Sequence, residues 1–87
     1  MRIKVTVTDS HIQNGKIRDS RQCPIGLALC NMGFKVVTGS RLNITVMKGG
    51  RVYQGYFPRK ATLFIDLFDS DCEVKPFSFN LNLKEVI

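Results

Sequence analysis

The chain has 87 residues, of which 44% are hydrophobic and 23% charged, and it carries a net charge of +6 at neutral pH. That length holds a single domain, residues 1–87, around one core. The composition is that of an ordinary globular protein and excludes a disordered chain, and no apolar run approaches the roughly 20 residues that a membrane-spanning helix needs.

In chain order, RIKVTVT alternates Ile3, Val5 and Val7 with Lys4, Thr6 and Thr8, the pattern of a half-buried strand. The alternation is too strict for a signal peptide, so the expected compartment is the cytoplasm. Thr8 or Asp9 can cap a single helical turn that Gly15 ends, and the polar residues 16–22 read as a loop. Pro24 stands where a first helical residue belongs and Gly33 where a helix stops. This predicts a short helix from about Pro24 to Asn31, with Cys23, Leu27 and Cys30 on one buried face.

Residues 34–38 predict a further short strand. Beyond it, Leu42, Ile44 and Val46 alternate with Asn43, Thr45 and Met47, and Gly49 and Gly50 separate this run from RVYQGYF. Two glycines between β-rich segments predict a tight hairpin, because two-residue turns require positive φ. Pro58 opens PRKATLFIDLFDSD, where Leu63, Phe64, Leu67 and Phe68 recur at helical spacing and Asp66 points away. An amphipathic helix of about three turns ending near Asp69 follows from that spacing. After a polar loop, PFSFNLNLKEV alternates Phe77, Phe79, Leu81 and Leu83 with polar residues, a final strand. The expected fold is α+β: a four- or five-stranded mixed or antiparallel sheet with two short helices packed on one face, the first and last strands lying close together.

The charge is uneven. Residues 1–65 hold eleven of the thirteen basic residues against Asp9 and Asp19, and the remainder holds two lysines against five acids. Such a distribution favours an anionic partner, a nucleotide or nucleic acid, or else serves solubility. Two stretches could receive that partner. In KIRDSRQ, Lys16, Arg18, Ser20, Arg21 and Gln22 stand beside the N–H groups of the helix start, a candidate anion site. No glycine-rich phosphate loop accompanies them, and Asp19 neutralising the arginines is the alternative. On the hairpin, Arg41, Asn43 and Thr45 are expected to face outward, with Arg51 and Tyr53 joining them across the turn. Arginine, amide and aromatic groups on a sheet suit single-stranded nucleic acid; the alternative is a solvated face with one tyrosine packed over it.

A cysteine at a helix start beside Arg18 and Arg21 would be acidified, but catalysis needs a base, and nothing in the spacing brings His11, the single histidine, to Cys23. Cys23 as a small core residue is the competing reading. Cys23, Cys30 and Cys72 form no CxxC pair and are expected reduced. DLFDSDCE lacks the glycine and terminal glutamate of a calcium loop, and zinc-site, nucleophile-elbow and HExxH patterns do not occur. No catalytic residue, metal or cofactor is therefore expected. The strand at residues 34–38, guarded by Lys35, could pair at a sheet edge with a second copy to give a homodimer.

HIQNG, CPIGLAL, FIDLFDS and KPFSFNL together resemble a group of small proteins encoded by tailed bacteriophages, which share a CPI-type helix and a closing FxxxFD…PFxF segment. The markers are His11, Cys23, Pro24, Ile25, Phe64, Phe68, Asp69, Pro76, Phe77 and Phe79, spread over most of the chain. Gly26 and Asn31 depart from it, where a more ordinary helix former would be expected. The resemblance implies phage origin more than chemistry; because small basic phage proteins without catalytic motifs are often accessory factors, the expectation is a protein of the host cytoplasm that binds without catalysis and inhibits or sequesters a host defence factor. A nucleic-acid-binding accessory protein and a structural or assembly protein are the alternatives.

Overall fold

Every alternating segment becomes a strand in the computed structural model, which describes residues 1–86. The elements are β1 (Arg2–Val7), α1 (Asp9–Asn14), α2 (Pro24–Asn31), β2 (Lys35–Gly39), β3 (Asn43–Lys48), β4 (Arg51–Tyr56), α3 (Arg59–Asp69), β5 (Phe77–Asn82) and β6 (Lys84–Val86). The fold is α+β, and all strand pairings are antiparallel.

Two sheets, β1-β5 and β2-β3-β4-β6, take the place of the expected single one, and three helices that of two. The division falls inside the last alternating run. Leu83 donates its N–H to the Met1 carbonyl at 2.6 Å and accepts from the Met1 amine at 2.9 Å, extending the β1 ladder by one pair. The next residue, Lys84, already pairs with Gln54 of β4. One bent run thus serves both sheets. Gly55 of β4 lets the two approach: a Cβ there would stand 2.7 Å from the Asn82 carbonyl oxygen.

At the hairpin, Gly49 and Gly50 have φ of 60° and 75°, the positive values that the two-residue turn demands. Thr8 caps α1 by accepting the His11 amide, while the His11 ring accepts the Thr8 amide at 3.0 Å, so the helix runs to six residues rather than a single turn.

The core lies between the sheets' inner faces and the helices. Val5, Val7, Phe79 and Leu81 meet Ile44 and Val46, closed by Ile25 and Leu29 of α2 and Phe64 of α3. Two expected helix faces are rotated. In α3, Leu63 and Leu67 are 48% and 46% exposed, and Ala61, Phe64, Ile65 and Phe68 turn inward. In α2, Cys30 is exposed, and the buried side is Ile25, Ala28 and Leu29. Leu42 precedes β3 in the turn and is 55% exposed instead of joining Ile44 and Val46.

Candidate nucleic-acid interface

Hairpin register decides which side chains share a face. Lys48 pairs with Arg51 across the two-residue turn, so Val46 pairs with Tyr53 and Thr45 with Gln54. Directly opposed residues project to one side of the sheet. Arg51 and Tyr53 therefore share the side of buried Val46, opposite Asn43 and Thr45, which corrects the expected grouping. Tyr53 packs against the core, and Arg51 reaches Glu85 at 3.4 Å. Arg41 is also engaged: its Nε and Nη2 donate to the two Asp66 carboxylate oxygens at 2.8 and 2.6 Å. Its guanidinium, hydrogen-bonded there, holds the Asp66 carboxyl below the usual aspartate range. Of the five residues expected on this face, Asn43 and Thr45 face outward, and opposite Asn43 stands Tyr56, 73% exposed.

The outward faces of the two sheets run together because β5 and β6 are one chain segment. Arg2 and Lys4 from β1 and Lys35 from β2 alternate with buried residues of their strands, Lys84 follows the buried Leu83 and pairs with Gln54, and all four stand on this side. Between them lie Thr6, Ser78, Asn80, Asn82, Gln54 and Thr45, with Tyr56 the aromatic group. Strand parity puts none of the acids on this side, although Glu85 borders the groove between the sheets. Six lie on helices and loops, and Glu85 pairs with Tyr53 on the inner side. Arg2, Gln54, Tyr56, Asn82, Lys84 and Glu85 line an open groove of about 750 Å³ where the sheets part, and toward the hairpin Met47, Val52 and Val86 form an apolar row. Tyr56 was legible in the sequence: once the two glycines are taken as the turn, counting outward places it beside Asn43. Arg2 and Lys84 were not, because their approach depends on the bend at Leu83.

The expected anion site at the head of α2 is not assembled. The first helical turn is buried, and the Gly26 amide is already donated to Cys23 Sγ at 3.3 Å. Asp19 accepts the Arg21 and Gln22 amides, each at 3.0 Å, which forms the turn covering the helix start. Arg21 leaves that turn toward the Val37 carbonyl at 3.3 Å. Arg18, at φ 59°, donates its amide to Asp69 at 2.9 Å, and Lys16 and Gln22 are exposed. Arg21 is thus turned away to β2, while Arg18 and Ser20, with Asp19 between them, line the cleft beneath α3.

A cleft of about 300 Å³ lies beneath α3, with an apolar floor that includes Ile25, Ile44, Phe57, Phe64 and Phe68. Its mouth carries Arg18 and Arg41 against Asp19 and Asp69, charges that cancel and do not gather an anion. Cys23 borders it, and burial, reinforced by the nearby Asp69 and Asp19 charges, pushes its thiol up, the reverse of activation. His11 is buried, and its Nδ1 accepts the Thr8 amide. Its Nε2 lies 2.6 Å from the Asn31 side-chain amide nitrogen.

The fold and face define a small α+β protein with a cationic outward sheet surface. No family model, curated protein or solved structure matches the chain. Among the described residues no group of three or more His, Cys, Asp or Glu side chains could hold a metal ion, and no helix is long and apolar enough to cross a membrane.

Proposed function

We propose that the protein is a non-catalytic accessory factor that binds single-stranded nucleic acid across its outward sheet face. The observation that carries this reading is the segregation of charge: four cations and Tyr56 project to a side on which strand parity sets no acid, Glu85 alone reaching the border of the groove. Cations neutralise phosphates, the tyrosine ring stacks on a base, and amide and hydroxyl groups meet base edges. A sheet accepts an unpaired strand more readily than a duplex, because splayed bases can lie flat on it. The resemblance of CPIGLAL and the closing aromatic segment to small tailed-phage proteins supports origin in that group.

The test is binding of a fluorescently labelled thymidine oligonucleotide. Engagement of four cations gives a log–log dependence on salt with a slope of about −3, from about −0.7 per neutralised phosphate. Tyr56→Ala weakens binding by about ten-fold, in keeping with base stacking worth about 1–3 kcal/mol. Arg41→Ala, whose guanidinium is already held by Asp66, leaves binding unchanged. Unaltered affinity in Tyr56→Ala together with a loss in Arg41→Ala would sink the reading.

A second reading, sequestration of a host protein, is favoured by the edge of β1, which pairs with β5 on one side and, among the described residues, with no strand on the other.

A further inference from the structure

The hydrogen-bonding phase of β1 follows from its first pair. Met1 and Leu83 exchange both backbone bonds, so Ile3–Leu81, Val5–Phe79 and Val7–Phe77 are the bonded pairs of the antiparallel ladder. Arg2, Lys4 and Thr6 aim their N–H and C=O groups away from β5, and no backbone bond elsewhere in the described fold reaches them. The strand has six residues without proline, and its register runs without a bulge. The opposite border, β2, is where the sequence suggested pairing between copies, and it is the guarded one. Its register shifts between Val36 and Thr38, and Arg21 Nη2 donates to the Val37 carbonyl at 3.3 Å. A bulge and an arginine laid on the edge are devices that blunt strand addition.

We propose that the free edge of β1 takes up an extended, acidic segment of a partner protein as an added strand. Charge selects this occupant. A second copy added antiparallel about Lys4 would set Lys4 against Lys4, a like-charge pair directly opposed. A segment alternating acidic and apolar residues instead sets carboxylates beside Arg2 and Lys4 on the outward side and apolar side chains beside Ile3 and Val5 on the inner side. The three outward N–H and C=O pairs supply affinity, and the two cations supply selection. This rests on the reading of the chain as a protein-binding factor; its backbone bonds come from the edge, and it shares Arg2 and Lys4 with the face assigned to nucleic acid.

The experiment is amide hydrogen exchange of the full chain with two capped hexapeptides, one alternating glutamate with valine and the other lysine with valine. The acidic peptide is expected to slow exchange at Arg2, Lys4 and Thr6 by about ten-fold or more, as new backbone bonds do, and to leave β2 unchanged. Methylating alternate peptide nitrogens should abolish that protection. Lys4→Glu, an exposed substitution that leaves Arg2 against one carboxylate, should remove the preference for the acidic peptide. Protection by both peptides alike overturns the charge selection. Binding that protects other amides overturns the edge assignment and retains a protein-binding surface. If neither peptide binds, both the strand-addition proposal and the protein-binding reading lose their support.

Discussion

The Cys23 sulfur accepts the Gly26 amide at 3.3 Å at the head of α2, the place a serine or threonine oxygen takes in most helix caps. The residue that looked poised for chemistry therefore serves the start of a helix. Two amides lower the thiol's pKa, but burial outweighs them and holds it above the ordinary value. Thiolate is the reactive form, so at neutral pH a short exposure to iodoacetamide should modify the exposed Cys30 and Cys72 and leave Cys23 intact, as read by peptide mass spectrometry. Labelling of Cys23 first would show an activated thiol. His11 is committed in the same way, closing the cap of α1 and reaching Asn31 at the end of α2.

Among the elements, α3 shows how a helical spacing can name two faces at once. Leu63, Phe64, Leu67 and Phe68 span a wide apolar arc, and the packing selects one border of it. Phe64 stacks on Phe77 at 4.6 Å, and Phe77 lies 5.4 Å from Phe79, which anchors the helix over the β1-β5 sheet. The small Ala61 one turn earlier is fully buried and completes the inner face that Leu63 was expected to fill. Phe64→Ala should lower unfolding free energy by about 3–5 kcal/mol, as removal of a buried ring does. Leu63→Ala should cost less than about 1 kcal/mol, since nearly half the side chain is already exposed. Chemical denaturation of both variants checks the contrast, and equal losses would place Leu63 in the core.

At the scale of the molecule, α3 is joined to the loops across the cleft by three polar contacts. Arg41 grips Asp66, Thr62 Oγ1 donates to the Arg41 carbonyl at 3.1 Å, and Asp69 accepts the Arg18 amide. Asp66 is depressed in the folded protein by its hydrogen bond to Arg41. Its contribution is accordingly present above the ordinary aspartate range and lost as pH falls through the depressed value. Both partners are solvent-exposed, so the contribution is small. It should appear as pH-dependent loosening of α3: amide protection there falls on acidification in the wild type, and Asp66→Asn removes that dependence while α2 behaves alike in both. Identical pH profiles for α3 in the two proteins would show that the contact does not hold the helix.

Local patterns already carried the α+β class, the helix from Pro24 to Asn31, the glycine hairpin and the nearness of the first and last strands. The first three rest on chemistry within a few residues: a proline at a helix start, positive φ at two glycines, apolar alternation with period two. The functional face was only half legible, because it depends on parity across a turn and on a bend at Leu83 that lets one strand serve two sheets. Arg41, Arg51 and Tyr53 carry suitable chemistry in the sequence, but tertiary packing gives Arg41 to Asp66, Arg51 to Glu85 and Tyr53 to the core. The same packing gathers Arg2, Tyr56 and Lys84, from three strands far apart in the chain, around one groove. Alternation states that a residue lies on one of two faces; only strand pairing decides which face, and which distant residues share it.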